Sequence, residues 1–177
     1  NYNDMNVNGR GLQMYTTLRM ETLVQEASAR FVLPPRAGGW IDTFAAGATR
    51  TDIENLITRP ASVTWRRNSL GERRRPAFGL GMFVDEQTPF QQPSISSHAL
   101  YADAEYTWRS VDNLLDPAKG WMANVQAGWG IPGASTEQFG RTVGKLAVWW
   151  PLSPKDDLIG RAEMGAVLAS SRVGIPS

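Results

Sequence analysis

From Leu100 to Trp108 the chain alternates apolar and polar residues almost without error. Leu100, Ala102, Ala104, Tyr106 and Trp108 stand against Tyr101, Asp103, Glu105 and Thr107. Successive side chains on a strand point to opposite sides, so this stretch predicts a strand with one apolar and one polar face. The same period recurs elsewhere. Leu12, Met14, Thr16, Leu18 and Met20 oppose Gln13, Tyr15, Thr17, Arg19 and Glu21, while Ala27, Ala29, Phe31 and Leu33 oppose Glu26, Ser28 and Arg30. Trp121, Ala123, Val125, Ala127 and Trp129 oppose Asn124, Gln126 and Gly128. Leu158, Ala162, Met164, Ala166 and Leu168 oppose Arg161 and Glu163. A slip of one residue would reverse every face, so the pattern sets register as well as structure.

Nine segments read as strands, roughly 11–20, 24–33, 40–50, 60–68, 76–85, 98–109, 121–130, 139–150 and 158–169. The connections LPPRAGG, NSLGERRRP, LLDPAKG, IPGAST and PLSPKDD are rich in the residues that turns require. The best helical candidate, TRTDIENLITR at 49–59, is too short to be more than a loop. The expected fold class is all-β.

Bulk properties narrow the function classes. At 177 residues the chain can form one domain of ordinary size, and its net charge of +1 gives no strong field for nucleic acid. It has no cysteine, which removes disulfide scaffolds and thiolate zinc sites. There is no apolar run long enough for a membrane-spanning helix, but barrel strands need only about 9 to 11 residues and are not apolar overall. No signal peptide is evident, and the opening NYNDMNVNGRG reads as the interior of a longer chain.

Which face is the inside depends on strand length and aromatics. Ten residues at about 3.3 Å each reach about 33 Å. Tilted as barrel strands are, they span about 25 Å, the height of an outer-membrane apolar band. Soluble strands run about 5 to 6 residues. Seven tryptophans, Trp40, Trp65, Trp108, Trp121, Trp129, Trp149 and Trp150, lie near strand ends. Amphipathic rings concentrate there at bilayer interfaces, whereas a sandwich core would draw them to mid-strand. Trp65, Trp108, Trp121, Trp129 and Trp150 are the candidate interfacial aromatics. The apolar faces, built of Ala, Gly, Thr and Met beside aromatics, are modest for a dry core and acceptable against lipid.

The stretch RSVDNLLDPAKGWMANVQAGWGIPG, continued by FGRTVGKLAVWWPLSPKDDLIGRAEMGAVLASSRVGIPS, resembles the outer-membrane assembly superfamily, the BamA-like surface-antigen barrels. The resemblance rests on a turn motif, Asp112, Leu115, Pro117 and Gly120, then a strand, an IPG loop, a strand ending in Pro151–Leu152, and a strand carrying Leu158, Arg161 and Gly165. Upstream, LVQEASARFVLPPRAGGWIDTFAAGATRTDIENLITRPASVTWRR resembles the TamA branch, the translocation and assembly module subunit. The resemblance implies a sixteen-stranded antiparallel transmembrane barrel preceded by periplasmic repeats. On that template the chain supplies the end of strand two and strands three to eleven, so it is expected to be a fragment of one barrel domain. The family's sixth-loop motif would follow GIPS, and its gate strands lie outside the sequence.

Candidate chemistry is sparse. Asp103 and Glu105 share a face, but in a barrel lumen they form a solvated ladder with arginines such as Arg109, Arg141 and Arg161 rather than a catalytic pair. Tyr101, Gln126 and Glu163 complete the expected lumen-facing set. His98, the lone histidine, follows Ser97, and adjacent residues of an extended chain face apart, which disfavours a relay. No cluster suggests a metal or other cofactor. The arginines of RRNSLGERRRP read as a charged inter-strand turn, which on the family template would face the periplasm, with contact to a periplasmic partner as an added role. Gly79 and Gly81 in FGLGMF share a face and either bend a strand or leave room inside the barrel.

The resemblance implies a non-enzymatic role in the bacterial outer membrane: inserting or translocating barrel proteins such as autotransporters. Implied partners are those substrates, phospholipid and lipopolysaccharide, and a TamB-like periplasm-spanning protein, with no nucleic acid. A passive channel barrel and a soluble β-sandwich binding module are the alternatives.

Overall fold

Among the described residues, eleven antiparallel strands lie side by side in one sheet, almost in chain order. The structure, a computed structural model, describes residues 1–153 and 156–169. The strands are β1 (Tyr2–Val7), β2 (Leu12–Met20), β3 (Val24–Val32), β4 (Trp40–Ile53), β5 (Leu56–Thr58), β6 (Ala61–Ser69), β7 (Arg74–Pro89), β8 (Ile95–Val111), β9 (Gly120–Gly130), β10 (Phe139–Pro151) and β11 (Asp157–Ala169). All nine expected segments are strands, and no helix occurs among the described residues. The count of nine is corrected to eleven. The sequence pattern missed β1, whose YNDMNV carries polar residues on both sides, and it missed β5.

Residues 49–59 correct a second expectation, because they form a hairpin rather than a loop. Glu54 and Asn55 both adopt positive φ, 51° and 67°, between the paired residues Ile53 and Leu56. Two left-handed residues in a two-residue connection match the twist of the flanking strands. β5 and β6 then share the slot between β4 and β7. Pro60 separates them; it has no N–H to donate, but its carbonyl accepts from the Thr49 amide at 2.9 Å.

Register assigns every side chain to a face. Phe78, Leu80 and Met82 pair with Ala104, Ala102 and Leu100, while Ala77, Gly79 and Gly81 pair with Glu105, Asp103 and Tyr101. Carried across the ladders, the first set continues into Trp65, Trp129 and Leu146, and the second into Arg66, Gln126 and Lys145. Among the described residues the buried apolar side chains are Ala77, Ala99 and Val143, all on the second face. Crowding on that side marks it as concave. The opposite, convex face exposes Leu18, Phe44, Phe78, Leu80, Met82, Val125, Leu146 and Met164.

A soluble sandwich would cover those residues with a second sheet. Among the described residues all eleven strands belong to one layer, and no second sheet of a sandwich is present. The convex face needs an apolar solvent or a partner. Its height is legible on β8: from Leu100 to Trp108 every outward residue is apolar, a rise of about 27 Å along the strand. Beyond it, toward the 90–94 turn, Ser96 and Ser97 pair with Glu86 and Asp85, so both faces are polar. β7 and β8, at 16 and 17 residues, exceed the roughly 9 to 11 that span a bilayer, and these polar ends project past the apolar band.

Candidate functional site on the concave face, its rim and its turns

On the concave face, Arg66 of β6 reaches over β7 to β8 and donates to both Asp103 and Glu105. The crossing is open because the intervening β7 residue is Gly79, whose Cα pairs with those of both Arg66 and Asp103. A Cβ at Gly79 would collide with the Asp103 carboxylate, and one at Gly81 would collide with the Tyr101 ring. The two glycines therefore make room for inward side chains. Asn124 extends the network, donating to Glu105 Oε1 at 2.7 Å and to Thr107 Oγ1 at 2.8 Å.

The partner of the acidic pair corrects an expectation. Arg109, Arg141 and Arg161 share the concave face with Asp103 and Glu105 but form no ion pair among the described residues, and Arg66 takes the role. Arg66 stands where the strand segment 60–68 and the charged turn RRNSLGERRRP overlap in the sequence, and the structure puts it in the strand. Only residues 70–73 connect β6 to β7, so alternation sends Arg66 inward and Arg67 outward. Further along, Lys145 and Glu163 pair at 3.2 Å between β10 and β11. With Arg109, Trp149 and Arg161 they line an open recess of about 730 Å³ in which the Arg109 Nε is buried without a partner. Gln126 lines the same recess.

The convex rim holds a cluster that sequence reading missed. Asp42 of β4 is 1% exposed although it shares the outward face with Phe44 and Trp65. Its Oδ1 accepts from Arg67 Nε at 2.7 Å and Trp65 Nε1 at 3.2 Å. Its Oδ2 accepts from the second Arg67 nitrogen at 2.9 Å and pairs with Arg36 Nε at 3.0 Å. Arg36 lies in the 33–39 turn, which folds back through its amide to the Trp40 carbonyl at 2.8 Å. The sequence signal was slight: one acidic residue among Trp40, Phe44, Ala46 and Ala48 on the outward alternation of β4.

The aromatics fall mostly at the same end as this turn. Trp40 stacks near Phe78 at 6.3 Å between centroids, and Tyr106 packs on Trp108 at 4.2 Å. Trp121 and Trp150 face outward beside the 112–119 and 152–156 turns, and Trp129 faces outward at the opposite end of β9. Trp149 pairs with Gly120 on the concave face. Trp65 is tied to Asp42 as well as lying in the apolar band.

The motif turn after β8 is organised by Asp112. Its Oδ1 accepts from the amides of Asn113, Ala118 and Lys119 at 2.9, 3.2 and 3.1 Å. Those amides, led by Lys119, hold the carboxyl below the usual carboxylate range. Gly120 has φ of +123°, and a Cβ there would strike the Ser110 carbonyl. Pro117 is half-buried within the turn, and Leu115 stands 96% exposed at its tip. Ser97 and His98 sit at neighbouring ladder positions with their side chains on opposite faces, and His98 Nδ1 lies 3.1 Å from Thr136 Oγ1.

This architecture has a match among solved structures. The crystal structure of BamA from Haemophilus ducreyi lacking POTRA domains 1-3 superposes with a TM-score of 0.69 at 13% sequence identity. The chain resembles the wall of a BamA barrel. The match covers 94% of this chain and 37% of the BamA chain, so the shared part is a fraction of that protein. No protein-family model matches the sequence, and no curated protein matches it significantly.

Proposed function

We propose that this chain is part of the wall of an outer-membrane barrel that assists the assembly of other barrel proteins, without enzymatic activity. The single supporting observation is the one-layer sheet itself: a BamA-like wall with an uncovered apolar convex face and an ion-laced concave face. Water on the convex side would leave that face unburied, and lipid resolves this. Backbone groups of β1 and β11 in lipid need ladder partners, since each unsatisfied group costs several kcal/mol. Further strands, sixteen in all on the family template, would close the barrel around this segment. GIPS and the sixth-loop junction lie outside the described residues.

The finer reading follows the TamA branch: substrates that include autotransporters, and a TamB-like partner at the periplasmic end. We take the end carrying the 33–39, 70–73, 112–119 and 152–156 turns as periplasmic and the end where β7 and β8 project past the apolar band as extracellular, since the longer excursions of such barrels lie outside the cell. The concave network of Arg66, Asp103 and Glu105 then stiffens the wall, and strand exchange with substrates occurs at other strands. Depleting the protein in its native cell tests this. Loss of heat-modifiable outer-membrane barrels supports an assembly role, whereas normal assembly with loss of a steady bilayer conductance supports the passive channel instead.

A further inference from the structure

We propose that the convex rim around Asp42 binds the phosphate headgroup of an anionic phospholipid, with Arg36, Arg67 and Arg74 as the cationic groups. The inference rests on the membrane reading above and names the lipid partner of that wall. Asp42 neutralises one of the two guanidiniums it holds, so the cluster keeps a net positive charge, and Arg74 brings another to the same end of the convex face, four residues along β7 from the Phe78 position that pairs with Arg67. Arg74 pairs with Trp108 on the same convex face and has no ion pair among the described residues. Arg36 remains 59% exposed at its side chain while Asp42 is closed off, so the free positive surface points outward rather than into the sheet.

The cluster is held in place before any ligand arrives. Arg67 is clamped bidentately by Asp42 and lies 5.5 Å above the Trp65 ring, and the Leu70 amide ties the 70–73 turn to Gly39 at 2.7 Å. Trp40, Phe44 and Phe78 lie directly beside it on the apolar face. A ligand that satisfies both surfaces carries a phosphate and an acyl chain at once. A free phosphate would meet only the arginines. Basic side chains next to an aromatic band are the arrangement that anionic leaflets attract.

The test reconstitutes the protein in phosphatidylcholine bilayers doped with either brominated phosphatidylglycerol or brominated phosphatidylcholine, and reads tryptophan quenching. The expected result is stronger quenching by the anionic lipid at equal mole fraction. Replacing Arg36→Gln and Arg74→Gln should weaken that preference about fivefold per arginine, and Arg36→Lys with Arg74→Lys should keep most of it. If the glutamine variant fails to insert, a salt titration of the unaltered protein serves, since the preference must fall as salt rises. Equal quenching by both lipids overturns the proposal. So does displacement by inorganic phosphate, which would make this an ion site, or an equal preference for lipid A, which would remove the leaflet assignment. Quenching by neither lipid would instead refute the membrane reading itself.

Discussion

Gly79 and Asp103 occupy one position of the β7–β8 ladder, and the Asp103 carboxylate lies where a Gly79 side chain would begin. The neighbouring pair, Gly81 and Tyr101, repeats the arrangement. Two absent side chains on one strand thus allow an acid and an aromatic ring on the next to lie over the sheet.

Gly79→Val should therefore displace Asp103 from Arg66 and destabilise the folded wall by about 1–3 kcal/mol, the range for overpacking. Urea unfolding in detergent micelles measures it. Gly140→Val is the control, because nothing lies within 4 Å of a Cβ there. Similar losses at both positions would show that the Gly79 space is not special.

Arg66→Ala leaves Asp103 and Glu105 both short of their cation, whereas Asp103→Ala leaves Arg66 with Glu105. The arginine change should cost more, about 1–3 kcal/mol, and a double-mutant cycle with Glu105→Gln should give a non-zero coupling. Additive effects would contradict the shared network. Asp103→Ala alone should leave barrel assembly intact, so an assembly defect with normal stability would oppose the structural role given to this face.

The face assignment predicts an asymmetry between the two sides of the sheet. Leu80→Arg on the convex face should destabilise the protein in vesicles by about 2–4 kcal/mol, as at a bilayer midplane. Gln126→Arg on the concave face should be nearly neutral. Equal costs would mean that the convex face does not meet lipid.

Asp112 gives a pH signature. Its folded carboxyl titrates below its unfolded value, so its contribution is complete above pH of about 4 and is lost as pH falls through the folded value. The stability difference between the unaltered protein and Asp112→Asn should be present at neutral pH and shrink in acid. Amide exchange of Ala118 and Lys119 should quicken over the same range. A difference that does not change with pH would mean the carboxylate charge is not what holds the turn.

Much of the fold was legible because strand signals are local. Alternation, spacing and turn residues placed nine strands within a few residues of their observed ends and put Asp103, Glu105, Gln126, Arg161 and Glu163 on one face. The β4–β5 hairpin was harder, since its turn depends on Glu54 and Asn55 entering left-handed backbone space rather than on a glycine. The candidate site was less legible still. Arg109, Arg141 and Arg161 met every local criterion for partners of the acidic pair, and Arg66 took the position because two strands and a glycine brought it there.

By itself, then, the sequence determined periodicity, and with it the strands, their two faces and the apolar height from Leu100 to Trp108. Side-chain direction follows from the backbone of each strand alone, so no distant residue is needed to read it. The tertiary structure decided who meets whom. Arg66 crosses Gly79, Arg36 folds back from a turn onto Asp42, and all eleven strands stay in one layer with the apolar face uncovered. Those relations join residues far apart in the chain, and only strand pairing fixes the register that brings them together.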